Sequence, residues 1–274
     1  MRTPGSSGSL YPDVSQKNSD GKRSARERLQ EQRRIEESRA KRKRTLIAAV
    51  VVVAVLGAGA GIAALVANSG KKKQGTGASG PLVAPQSAMG KDNLAIPVGE
   101  SGAKATLTVY EDFRCPACGQ FENGYRETVN DLEKKGQLKA EYHIVTLIDK
   151  NLGGTGSLNA ANAAACAQDA GMFKAYHDTL YMNQPQETDD QFAKKSRLLE
   201  LADKVKGLNT GEFKGCVDNG THNSWVKKSQ QTFSASAYKA TPTVLLNGKS
   251  IYADPSNPLT PAKLREMVAG AQKG

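Results

Sequence analysis

Apolar residues are spread unevenly along this chain. In the charged stretch from Ser24 to Arg44, Leu29 and Ile35 are the only sizeable ones. Such a stretch has no face to bury, so residues 1–44 predict a polar, basic tail, disordered or loosely helical. Thr45 to Ala67 then runs 23 residues without a charge. At about 1.5 Å per residue, a helix of that length crosses a hydrocarbon core of roughly 30 Å. A transmembrane helix is therefore expected over 45–67. The apolar part of a cleaved signal peptide is shorter, about 7–15 residues, and does not follow so long a polar tail. Residues 68–95 are rich in Gly, Ser, Lys and Pro and predict a flexible linker.

From Ile96 the pattern is that of a folded domain reaching residue 274. Ala105 to Tyr110 alternates in polarity and is rich in β-formers, and Leu138 to Leu147 is a second strong strand. Cys115 to Lys135 between them reads as a helix. A long helical block follows, from Ser157 to about Ser236. Thr243 to Leu246, Asn247-Gly248 and Ser250 to Ala253 then form a hairpin, because Asn-Gly between two apolar runs is a strong turn signal. Leu259 to Ala271 closes as a helix, with Thr260 as N-cap and Pro261 in its first position. Two strands joined through a helix make a parallel pair, and the hairpin adds an antiparallel one. The result is one mixed α/β sheet with helices packed on it.

Charge changes this picture little once it is divided along the chain. The net charge is +11, but residues 1–44 hold 13 Lys/Arg against 6 Asp/Glu, and residues 96–274 hold 21 against 20. The folded part is nearly neutral, which argues against nucleic acid as a partner. The basic excess flanks the apolar run: nine Lys/Arg in the 20 residues before it and three in the 20 after. The more basic flank stays in the cytoplasm, so the C-terminal domain is expected outside a single-pass cell-membrane anchor.

The candidate chemistry lies in Cys115-Pro116-Ala117-Cys118, just after the first strong strand. Pro116 suits the first helical position and places Cys115 at the helix N-terminus. Free backbone N–H groups and the helix dipole favour a thiolate there, and the thiolate is the nucleophile of disulfide exchange. Cys118 follows by about one turn, within disulfide reach. Asp112, or its neighbour Glu111, is a possible proton acceptor for Cys118, and Arg114 either supports the thiolate or faces water. A zinc site would need two further ligands, but Cys166 and Cys216 are isolated and His143, His177 and His222 form no spaced pair. No metal and no cofactor is expected. All four cysteines lie beyond the apolar run, as suits an oxidising compartment. Cys166 and Cys216 both fall in the helical block and are read as a structural disulfide, although four cysteines allow three connectivities. Trp225 is read as a packing residue of that block.

Tyr110-Glu111-Asp112-Phe113-Arg114-Cys115-Pro116-Ala117-Cys118, together with Ala240-Thr241-Pro242-Thr243-Val244-Leu245-Leu246-Asn247-Gly248, resembles the DsbA family of thioredoxin-fold proteins, in particular the membrane-tethered members of Gram-positive, high-GC (actinobacterial) bacteria. The resemblance covers about residues 96–272. It implies a thioredoxin-like mixed sheet with an inserted helical domain at about 157–236. It also implies a cis Pro242 facing the cysteines and a Thr241 whose backbone binds extended substrate. Two departures stand out: Ala117 lies where strongly oxidising members have His, and Val109 where they bury an acid. The implied activity is an extracytoplasmic thiol–disulfide oxidoreductase that oxidises exported proteins. A quinone-linked membrane partner, DsbB-like or vitamin-K-epoxide-reductase-like, would re-oxidise it. The same residues serve a disulfide reductase or isomerase, and a non-enzymatic tethered binding module is the reading from another class.

The asymmetry of the basic flanks makes the topology testable. With Asp20→Cys or Gly80→Cys placed in a chain whose own cysteines are serine, a membrane-impermeant thiol reagent on intact cells is expected to label position 80 and spare position 20. The opposite pattern would reverse the orientation.

Overall fold

Ala105, Leu107, Val109 and Glu111 share one side of strand β2 (Ala105–Glu111), and all four are buried, while the positions between them are only half-buried. Strand β3 (Leu138–Ile144) repeats this alternation. It lies parallel to β2 in a register running from Ala105 opposite Leu138 to Glu111 opposite Ile144. Parallel neighbours need a crossover, and helix α1 (Pro116–Lys134) supplies it. On its other side β2 pairs antiparallel with β4 (Thr243–Leu246). Asn247 and Gly248 then take φ of 47° and 79°, the two positive values that a type I′ turn requires, and lead into β5 (Lys249–Ser250). This second arm is shorter than the expected 250–253, as suits a sheet edge. Helix α8 (Pro261–Gln272) begins as expected, with the Thr260 hydroxyl accepting from Lys263 N at 3.1 Å.

The computed structural model describes residues 81–273 except 253 and 255, all within one compact unit, Gly75–Gly274. The expected tail, the spanning helix over 45–67 and residues 68–80 of the linker lie outside the described residues. Among the described residues no helix is long and apolar enough to cross a membrane.

A short edge strand, β1 (Ile96–Val98), was not expected. It pairs antiparallel with β3 and completes the order β1-β3-β2-β4-β5. Three residues are too few to show alternation, and Pro97 argues against a strand anywhere but at an edge.

Between β3 and β4 lie α2 (Leu147–Leu152), α3 (Gly156–Asp169), α4 (Phe173–Met182), α5 (Lys195–Ala202), α6 (Gly211–Asn219) and α7 (Asn223–Ala235). The centre of this helical insertion is α3, where Ala160, Ala161, Ala163, Ala164, Ala165 and Ala167 are all fully buried. A helix covered on every side reads as apolar all round, and small side chains let its neighbours approach. Cys166 of α3 is bonded to Cys216 of α6. Trp225 of α7 is fully buried and its Nε1 donates to Asn93 O at 2.7 Å, so it is a packing residue.

That last contact corrects the linker boundary. The expected linker over 68–95 is too long at its C-terminal end. Leu94 and Ala95 are buried, and Met89 bridges to Ala95. Gln86 N donates to Asp169 Oδ1 at 2.7 Å, and His222 Nδ1 lies 2.9 Å from Val83 O. The segment has no hydrophobic period because single hydrogen bonds from the insertion hold it, not a repeating face of its own.

Closing a loop over a sequence separation of 50 is worth about 4 kcal/mol in the chain-entropy model, and native bridges typically deliver about 2–4. Replacing both Cys166 and Cys216 by Ser is therefore expected to lower unfolding free energy by about 2–4 kcal/mol in a denaturant titration. A non-reduced digest of the unsubstituted chain should yield the Cys166–Cys216 peptide. A dominant Cys118–Cys166 species would contradict the pairing.

Candidate active site

Strand β2 ends at Glu111, and the chain turns sharply before α1. Asp112 makes the turn: its carbonyl accepts from Cys115 N at 2.9 Å and its Oδ1 accepts from Arg114 N at 2.8 Å. Cys115 is the N-cap of α1 with an extended backbone, and Pro116 takes the first helical position. Both expected redox sulfurs are thiols here. Cys115 is 6% exposed and Cys118 is sealed. The Thr241–Pro242 bond, at the start of β4, is cis. The antiparallel pairing of β4 with β2 carries Thr241 to the end of α1, where Cys115 Sγ donates to Thr241 O at 3.3 Å. Residues 126 positions apart thus form one site.

The two thiols differ strongly. A hydrogen bond from the Cys118 thiol does most to hold Cys115 down at about 6. Burial opposes it, and the Thr241 side chain and the backbone N–H groups of Cys118 and Ala117 assist. Burial pushes Cys118 well up, and its hydrogen bond and repulsion with Cys115 push it further, as does the charge of Glu111.

Asp112, the expected proton acceptor, is fully buried at this turn, and its backbone reaches Cys118. Its Oδ2 accepts from Ile148 N at 2.8 Å and its Oδ1 is held by Arg114 N. Burial raises it to about 7 against these two backbone donors. Oδ1 thus closes the active-site turn on itself and Oδ2 ties it to α2. The carboxylate whose charge reaches Cys118 is Glu111, which is fully buried. Glu111 shares the inward face of β2 with Val109, one strand period nearer the cysteines. An acid on an inward position of an alternating strand was the sequence signal for it.

Behind Glu111 lies a polar cluster that sequence reasoning missed. His177 of α4 is fully buried, with Nε2 2.8 Å from Glu111 Oε1 and Nδ1 3.3 Å from Asp178 Oδ1. Burial disfavours its charge, but Glu111 and Asp178 outweigh burial and raise it to about 10. Glu122 of α1 lies against Glu111 and His177. Burial first, and then the charge of Glu111, raise Glu122 to about 8, so it is mostly neutral at pH 7. The α4 pair His177 and Asp178 is remote in sequence from Glu111 and Glu122, so no motif announces the cluster.

Arg114 neither faces water nor supports the thiolate. It is buried, with Nη1 2.7 Å from Asp149 Oδ1 and 2.9 Å from Gly153 O, Nη2 3.1 Å from Glu187 O, and Nε 3.2 Å from Asp190 Oδ1. It fastens the active-site turn to the helical insertion.

A depressed thiol is stabilised by folding only when ionised. For the reduced protein, the contribution of Cys115 is therefore full above the ordinary thiol range and is lost as pH falls through about 6. Thiolate absorbance of the reduced chain is expected to show one transition near pH 6 that disappears in Cys115→Ser and persists in Cys118→Ala, although moved upward in the latter by loss of the Cys118 donor.

Comparison with known proteins gives the same reading. A family model described as Thioredoxin matches residues 92–269. Disulfide bond formation protein D of Bacillus subtilis is 28% identical over 186 residues, covering 66% of this chain and 77% of that protein. Among solved structures, oxidised DsbA of Mycobacterium tuberculosis superposes with a TM-score of 0.55 at 32% identity, covering 65% of this chain and 92% of its own. The reduced disulfide bond oxidoreductase DsbG of the same organism superposes with a TM-score of 0.57, also at 32% identity, covering 68% and 90%. The family match takes in both redox cysteines and the proline opposite them, so the chain belongs to the thioredoxin family, among its DsbA-like thiol–disulfide oxidoreductases.

Proposed function

We propose that this oxidoreductase works outside the cytoplasmic membrane, anchored by residues 45–67, as the tethered actinobacterial members do. There it oxidises thiols of exported proteins through the Cys115–Cys118 pair. The observation that carries the direction is the asymmetry of the two thiols. Stabilising the Cys115 thiolate stabilises the reduced protein, and a disulfide whose reduced form is stabilised is the better oxidant. In each turnover a client thiolate attacks Cys115 Sγ of the disulfide, and Cys118 leaves as a thiolate and takes a proton. A second client thiolate then attacks the client sulfur of the mixed disulfide. The client leaves as its disulfide, and Cys115 leaves as a thiolate. Thr241, whose carbonyl faces Cys115 Sγ, and Pro242 beside it would hold the extended client backbone. Asp112 and Glu111 are the buried acids that would exchange a proton with Cys118.

The two electrons gained per turnover must pass to a membrane partner. A quinone-linked protein of the DsbB-like or vitamin-K-epoxide-reductase-like type meets that need, and no cofactor is required on this chain. The 32% identity to the M. tuberculosis protein described as DsbG keeps reduction or isomerisation as the second reading.

Cys118→Ala is expected to accumulate mixed disulfides with exported proteins when it meets oxidised clients, and Cys115→Ala to accumulate few. Equilibration of the purified chain with glutathione should place the couple above the glutathione potential. A lower value assigns the reductive direction, and trapping by Cys115→Ala would exchange the roles of the two sulfurs.

A further inference from the structure

We infer that Gln184 is a positioning residue for the redox centre, through which the helical insertion fixes the backbone that carries Cys115. The inference rests on Cys115 being the attacking sulfur. Gln184 stands just beyond the end of α4 and is remote in sequence from the CPAC segment. Its Nε2 donates to Phe113 O and to Cys115 O, both at 2.9 Å. These carbonyls bracket Arg114, whose side chain the insertion also holds.

The peptide plane between Cys115 and Pro116 makes this contact consequential. Pro116 has no N–H, so hydrogen bonds can hold that plane only through the Cys115 carbonyl. One lone pair of this oxygen accepts Gly119 N at 3.1 Å and closes the first turn of α1. Gln184 takes the other. Rotating the plane would turn Cys115 Sγ relative to the N–H groups of Ala117 and Cys118 that stabilise it. The amide of Gln184 is itself seated against Gly119, which is buried, and a Cβ at Gly119 would run into Gln184 Oε1. The glycine after CPAC is thus the space that admits the Gln184 side chain.

Two variants of the full-length chain remove the contact by independent routes. Gln184→Met keeps length and removes the donor, while Gly119→Ala keeps the amide and displaces it. In both, the Cys115 thiolate transition is expected to move up from about 6 toward the ordinary thiol range. The equilibrium with glutathione should shift about three- to tenfold toward the protein disulfide, because the reduced form loses stabilisation of the order of one hydrogen bond. If either variant folds, by circular dichroism, and both the titration and the equilibrium match the unsubstituted chain, Gln184 only supports the fold and the inference is overturned. If Cys115 of the unsubstituted chain titrates as an ordinary thiol, the premise about the attacking sulfur fails instead, and the inference falls with it. Should Gln184→Met fail to fold, Gly119→Ala decides alone.

Discussion

The thiolate of Cys115 depends on a set of donors aimed at it, the Cys118 thiol first, with Thr241 and the N–H groups of Cys118 and Ala117 beside it, and the architecture around the site holds that set in place. Pro116 starts α1 directly after Cys115 and so sets the sulfur at the helix N-terminus. Asp112 ties the turn to itself and to α2 through two backbone N–H groups. The parallel crossover of β2, α1 and β3 places that turn at the end of the sheet, and β4, antiparallel on the other side of β2, brings Thr241 to face it.

Burial gives the second cysteine its different behaviour. Cys118 sits one turn into α1 against the sheet, where desolvation disfavours its charge and Glu111 adds repulsion. Glu111 itself survives in the core because His177 carries the compensating charge, held between Glu111 and Asp178. A buried pair of this kind is weak evidence for stability, since desolvation offsets most of the attraction. What it does is join β2 to α4 directly behind the redox pair.

The helical insertion does more than cover one face of the sheet. Asp149, Gly153, Glu187 and Asp190 grip Arg114, and Gln184 grips the carbonyls on either side of it. The insertion also receives residues 81–95 through Asp169, His222 and Trp225. The alanine-rich helix α3 allows this close packing, and the Cys166–Cys216 bridge joins α3 to α6.

Local chemistry determined much of this from the sequence alone. Alternation marked β2 and β3, Asn247-Gly248 marked the hairpin and Thr260-Pro261 marked the start of α8. Pro116 between a strand and a helix placed Cys115 at an N-terminus. Each of these signals is written within a few residues, because turn, cap and strand preferences are short-range. Tertiary structure decided what depends on pairs remote in sequence. It gave the Asp112 carboxyl two backbone donors and set the buried Glu111 where its charge also reaches Cys118. It turned Arg114 inward, it brought His177 and Gln184 to the site from segments with no motif, and it turned Glu122 of α1 toward them. It also drew residues 81–95 into the fold by isolated hydrogen bonds, which leave no period in the sequence. A buried polar contact is set by the meeting of two surfaces, and one chain segment records only its own half.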